Sequence, residues 1–128
     1  MQMNKLFIEA TDISPKVDFN TETNVFVLEG ESRPENVRKF YDPLIEWLEN
    51  YNNTALGGHN LTFEFRFDYF NSSSAKFIMD ILKILEKIKS KNININIKWY
   101  YDEDDEDMLE TGEEFSRIID LTFEYIKN

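Results

Sequence analysis

In residues 61 to 70, LTFEFRFDYF, large apolar and polar side chains alternate from Leu61 to Tyr69. Successive side chains of a β-strand point to opposite faces. Leu61, Phe63, Phe65, Phe67 and Tyr69 then share one face, and Thr62, Glu64, Arg66 and Asp68 share the other. A helix would scatter these residues around its circumference, so the chain must build a sheet with an apolar side to cover. Ile93, Ile95, Ile97 and Trp99, alternating with Asn92, Asn94, Asn96 and Lys98, predict a second strand of the same kind. Shorter strands are expected at Lys5–Ala10, ended by Ser14-Pro15, and at Lys16–Phe19 and Val25–Gly30, a hairpin around the turn-like Asn20–Asn24.

Two segments switch to helical spacing. Val37, Phe40, Tyr41, Leu44, Ile45, Leu48 and Tyr51 form one apolar stripe. Ser32 as cap, Pro34 in the first turn and Glu35 near the positive dipole end predict where that helix starts. Pro43 predicts a kink or break near Tyr41-Asp42. Ala75, Ile78, Leu82, Leu85 and Ile88, widened by Met79 and Ile81, mark a second helix, with Lys87, Lys89 and Lys91 at its negative end. From Phe115 the tail predicts a helical turn and then a short strand. The order β-β-β-α-β-α-β predicts an α/β fold: one domain over 1–128, a mixed sheet with helices mainly on one face, and the second helix as a right-handed crossover between parallel strands.

Composition bounds the function. At 41% hydrophobic and 15% aromatic residues the chain can bury a core. Its net charge of −11 argues against nucleic acid and anionic membranes as partners, because both are met by clustered Lys and Arg. The absence of cysteine excludes disulfides, thiolate metal sites and cysteine nucleophiles. No secretory h-region and no apolar run of membrane-spanning length occur, so a cytoplasmic location is expected, with the sequons at Asn52, Asn60 and Asn71 unused.

Three serines, Ser72, Ser73 and Ser74, stand where the long strand hands over to the second helix. One hydroxyl there can cap a free backbone N–H, worth about 1 kcal/mol. A phosphate at the same place would sit beside unpaired N–H groups and the positive dipole end. Capping explains one serine and leaves two, so a phosphorylation switch is the competing reading.

Other chemistries are weaker. The acidic stretch Asp102–Asp107 invites a divalent-metal or small catalytic reading over residues 102–113: Asp102, Asp104, Glu106 and Glu113 fall on EF-hand positions 1, 3, 5 and 12. Position 6, which requires Gly, is Asp107. A solvated acidic loop accounts for six mutually repelling acids better. His59 sits in a Gly-rich loop with no evident triad partner or nucleophile elbow, and Gly57-Gly58 lacks the ending of a phosphate loop.

The stretch FNSSSAKFIMDIL resembles the strand-to-helix junction of STAS-type anti-sigma-factor antagonists, with Asn71-Ser72-Ser73 in place of Asp-Ser-Ser. A broader resemblance runs through Gly30–Asn36, Phe40–Leu44 with Trp47-Leu48, Tyr69–Lys76, and Trp99–Met108 with Glu110 and Gly112. These four motifs, in this order, are similar to the SiaC family of bacterial regulatory phosphoproteins. The resemblance implies an STAS-like α/β protein without catalytic activity or cofactor, acting by partner switching. A Ser/Thr kinase of the histidine-kinase-like ATPase type would phosphorylate it, and a PP2C-type phosphatase would reverse this. The unphosphorylated form would bind and activate an effector such as a diguanylate cyclase, which raises cyclic di-GMP and favours biofilm. The acceptor falls on Ser72, with Ser73 as second choice. Asn71, Ser74 and Lys76 are expected around it, with Lys76 one helical turn away. Arg33, Tyr100, Tyr101, Asp102, Asp104, Asp105 and Asp107 are expected at partner surfaces, and no metal ligands are assigned.

Overall fold

Six strands lie side by side in chain order: β1 (Leu6–Ile8), β2 (Lys16–Asn20), β3 (Val25–Ser32), β4 (Asn60–Phe70), β5 (Asn94–Tyr101) and β6 (Thr122–Lys127). The computed structural model describes residues 5–128; residues 1–4 of the expected domain lie outside them. β1, β2 and β3 pair antiparallel, and β3 to β6 pair parallel. Helices α1 (Val37–Thr54), α2 (Ser72–Lys89) and α3 (Glu106–Ile118) connect the parallel strands.

The register explains why one face is dry. Phe19 opposes Phe26, Phe26 opposes Phe63, Phe63 opposes Ile97, and Phe65 opposes Trp99. All are buried in one cluster with the apolar stripes of the helices. α1 delivers Trp47 onto Phe19 and Phe26. α3 lays Phe115 against the fully buried Trp99, ring centroids 5.7 Å apart. The helices therefore cover the same face, as expected of the mixed α/β sheet. On the other face Arg66 pairs with Glu64 at 2.7 Å and stacks over Tyr100 at 3.7 Å. Among the described residues no helix is long and apolar enough to cross a membrane.

α1 and α2 run side by side in the same direction. Near their starts Tyr41 stacks on Phe77, and nearer their ends Glu49 meets Lys87 at 3.1 Å.

Four local expectations are corrected. The first helix starts at Val37 and not near Pro34: Asn36 is its cap, accepting from the Lys39 N–H at 3.1 Å, while Ser32 is buried as the last residue of β3 and Glu35 lies outside the first turn. Pro43 does not break it; α1 is continuous, because burying Tyr41, Leu44, Leu48 and Tyr51 along one side outweighs one missing backbone hydrogen bond. Tyr69 does not share the face of Phe67. Gly30 opposes Phe67 and Glu31 opposes Tyr69, so β4 carries one extra residue, Asp68. This bulge reverses the alternation: Phe70 turns inward onto Phe67, ring centroids 5.3 Å apart, and Tyr69 is left 48% exposed. Finally, the tail holds a full helix rather than a turn. α3 begins inside the acidic run, with Asp105 as its cap and Glu106 and Asp107 in its first turn.

Candidate phosphoacceptor site

The bulge at Asp68 sets how β4 leaves the sheet. Phe70 anchors the strand end in the core, and the Asn71 N–H donates to the Ser32 carbonyl at 3.0 Å. Asn71 then turns the chain into α2 with extended dihedrals, and its side-chain oxygen accepts from the Ser74 N–H at 2.9 Å. The cap is thus a carboxamide, and the expectation that a serine hydroxyl caps this helix is corrected. Ser72 is the first helical residue. Its side chain and that of Ser73 are exposed, and among the described residues neither makes a side-chain hydrogen bond. The junction lies at the end of an interior strand, between β3 and β5.

Ser74 differs from its two neighbours. It is fully buried, and so is Ser32. The Ser74 hydroxyl donates to the Ser32 carbonyl at 3.1 Å and accepts from the Ser32 hydroxyl at 2.8 Å. With that proton committed, the Tyr41 phenol donates to Ser32 Oγ at 2.6 Å. Burial pushes the Tyr41 phenol up to about 12, partly opposed by the Ser32 and Ser74 hydroxyls. The phenol stays neutral and available as a donor. Sequence reasoning placed Ser32 and Tyr41 only as a cap and a core residue; nothing local in the chain pairs positions so far apart.

The expected surround separates into parts. Lys76 is exposed on the first turns of α2, its ammonium 6.0 Å from the centre of the Phe77 ring. Arg33 is exposed but held at home, paired with Glu31 at 2.7 Å and donating to the Asp12 carbonyl at 3.4 Å. Tyr100 and Tyr101 do not form one patch: Tyr100 lies on the open face over Arg66, whereas Tyr101 packs against the core.

Of the acids, Asp102 and Asp104 are exposed, with Asp102 accepting from the Asn128 amide at 2.9 Å. Asp105 accepts from the Met108 N–H at 3.0 Å. Asp105 and Asp107, with Asp68, Tyr69, Phe70, Met108 and Thr111, line a groove of about 200 Å³ between the end of β4 and the start of α3. Asp68 and Tyr69 were not foreseen at the site, because strict alternation hid the bulge that exposes Tyr69. The 102–113 EF-hand reading fails on geometry: from Glu106 onward the segment is helix, and among the described residues no three acids or histidines are grouped to hold a metal. His59 does have a partner, the Tyr51 phenol at 2.9 Å, at the opposite end of β4 from the serines.

The sequence and the fold are similar to those of known proteins. A family model for SiaC family regulatory phosphoproteins matches residues 8–128. An uncharacterized protein of Pseudomonas aeruginosa strain UCBPP-PA14 is 32% identical over 121 residues, covering 94% of each chain. The crystal structure of apo-SiaC from Pseudomonas aeruginosa superposes with a TM-score of 0.85 at 28% identity, covering 97% of this chain and 99% of that one. A chain of the crystal structure of the diguanylate cyclase SiaD in complex with its activator SiaC, from the same organism, gives a TM-score of 0.87 at 29% identity, covering 96% and 99%. With the family model spanning nearly all of its length, this chain belongs to the SiaC family of regulatory phosphoproteins.

Proposed function

We propose that the protein is a partner-switching regulator whose state is set by reversible phosphorylation of Ser72. The observation that carries this reading is the division of labour at the junction. Asn71 caps α2, and Ser74 is locked in the interior, so the Ser72 hydroxyl has no structural task and faces solvent. In the forward step Ser72 Oγ attacks the γ-phosphorus of ATP. The new O–P bond forms as the bond to ADP breaks, and the hydroxyl proton passes to a base on the kinase. A kinase of the histidine-kinase-like ATPase type fits this role. A PP2C-type phosphatase would direct water onto the phosphorus and return the free hydroxyl and inorganic phosphate.

The unphosphorylated form is proposed to bind and activate an effector, with a diguanylate cyclase as the first candidate, since a SiaC of similar fold is described as the activator of one. The groove reaches Phe70, two residues before Ser72, and supports a docking role. Tyr69 is an exposed aromatic within a rim of carboxylates, a combination that suits a cationic partner segment. Asp102 and Asp104 extend the acidic rim, and Asp105 has the additional task of capping α3. A phosphate of about −1.5 to −2 charges on Ser72 would add bulk and repulsion next to that surface.

The test is kinase-dependent labelling of the protein and its Ser72→Ala and Ser73→Ala variants, read by intact mass. Loss of label only in Ser72→Ala is expected; label persisting in that variant moves the acceptor elsewhere.

A further inference from the structure

We propose that Arg38 of α1, together with Lys76 of α2, receives the phosphoryl group on Ser72, so that the modification draws the first turn of α1 onto that of α2. This rests on Ser72 as acceptor. The two helices run in the same direction, with Tyr41 stacked on Phe77 at 5.5 Å, so their first turns lie together. Two cations lie near the Phe77 ring, the Arg38 guanidinium 5.6 Å and the Lys76 ammonium 6.0 Å from its centre. Lys76 follows Ser72 by one turn and shares its side of α2, while Arg38 lies by Phe77, one turn after Ser73, so Arg38 would reach the acceptor across the first turn of α2.

The placement of Arg38 runs against helix electrostatics. First turns favour acids, and α3 follows that rule with Glu106 and Asp107. In a chain with 25 acids and 14 bases, α1 and α2 have no acid in their first turns, and α1 opens Val37-Arg38-Lys39. Such cations are poorly placed until an anion arrives. The ion pair Arg38 makes among the described residues is with Asp42 at 3.9 Å, long and solvent-exposed on both sides. A phosphate offers a larger charge and three acceptor oxygens to a guanidinium fork. The acids close in sequence on the same elements are Asp42 on α1, Asp80 on α2, Glu35 before α1 and Asp68 on β4, and they are common to every variant below.

The experiment installs phosphoserine at position 72 by genetic encoding, without any kinase, in the full chain. The second phosphate ionisation is followed by ³¹P NMR in the parent and in the Arg38→Gln, Arg38→Lys, Lys76→Gln and Arg117→Gln variants. In the parent it is expected below the ordinary value of about 6. Arg38→Gln and Lys76→Gln should each raise it by about half a unit, because each removes an opposite charge. Arg38→Lys should raise it less, and Arg117→Gln, a charge change in the last turn of α3, should leave it in place. An ionisation unchanged by Arg38→Gln, with or without a shift in Lys76→Gln, overturns the proposal. Absence of kinase-dependent phosphate at Ser72 would sink the acceptor assignment and leave this titration readable; a titration indifferent to Arg38 sinks the receptor and leaves the acceptor standing.

Discussion

The Ser32 and Ser74 hydroxyls, 42 positions apart in the chain, meet at 2.8 Å with both residues fully buried. This contact ties the end of β3 to the first turn of α2, and the Tyr41 phenol adds α1 to the same knot. Three adjacent serines thereby divide by environment. Ser74 fixes the turn from inside, Asn71 closes it, and Ser72 and Ser73 are left facing water on a frame that does not depend on them.

Ser74→Ala is expected to destabilise the fold by about 1–3 kcal/mol, because it strands a buried Ser32 hydroxyl without its acceptor. Ser72→Ala and Ser73→Ala should stay within about 0.5 kcal/mol of the parent. Urea denaturation of the three variants decides the matter. Equal losses would mean that the buried and exposed serines are not distinguished in the way described.

Tyr41 gives the knot a pH signature. Its phenol is held at about 12 in the fold against an ordinary 10.0. The folded state keeps the proton longer than the unfolded chain does, so this contribution is complete below about pH 10 and is lost as pH rises toward 12. A shift of that size corresponds to about 3 kcal/mol at most. Burial also raises Tyr51, so the comparison is made with Tyr41→Phe rather than by absolute slope. Tyr41→Phe should cost about 1 kcal/mol at neutral pH and show a shallower alkaline decline. Matching alkaline slopes in parent and variant would remove Tyr41 as the cause.

Much of this was legible in the sequence, and the failures share a cause. The alternation of Phe63, Phe65 and Phe67 and the stripes from Val37 to Tyr51 and from Ile78 to Ile88 each report one element against one core, and they mark β4 and both long helices. The errors lie where two distant segments negotiate. Asp68 becomes a bulge because β3 and β4 must reconcile their registers around Gly30, which no local pattern records. Ser32 fits a cap motif but is claimed by Tyr41 and Ser74. The acids of 102–107 read as a solvated loop because carboxylates suit water, yet the last three start a helix whose first turn favours negative charge. The exposure of Ser72 follows from Asn71 taking the cap, a choice between two good capping residues that sequence alone leaves open.

Gly112, one of the family-like motif positions, has a packing explanation. A Cβ there would lie 2.6 Å from Trp99 Nε1. The indole cannot withdraw easily, since it is fully buried and donates to the Met108 carbonyl at 2.9 Å. Helix propensity favours Ala over Gly by about 1 kcal/mol, while overpacking costs about 1–3 kcal/mol. Gly112→Ala should therefore lower the melting temperature and alter the Trp99 fluorescence. A variant as stable as the parent would show that α3 can lift off the indole without penalty.

Ser72→Asp separates a switch from simple damage. A carboxylate at the first position of α2 faces the positive end of the helix dipole and should stabilise the fold by about 0.3–1 kcal/mol. The same charge stands two residues after Phe70, which lines the acidic groove with Asp68, Asp105 and Asp107, where a cationic partner segment is proposed to dock. Effector binding should weaken, by less than with true phosphate, because one carboxylate carries less charge and fewer acceptor oxygens than a phosphate dianion. The two effects have opposite signs, so weaker binding cannot be ascribed to unfolding. Urea denaturation and a binding titration against a diguanylate cyclase of the kind activated by SiaC read them independently. A Ser72→Asp protein that is more stable and binds the cyclase as tightly as the parent would show that negative charge at this position does not control docking.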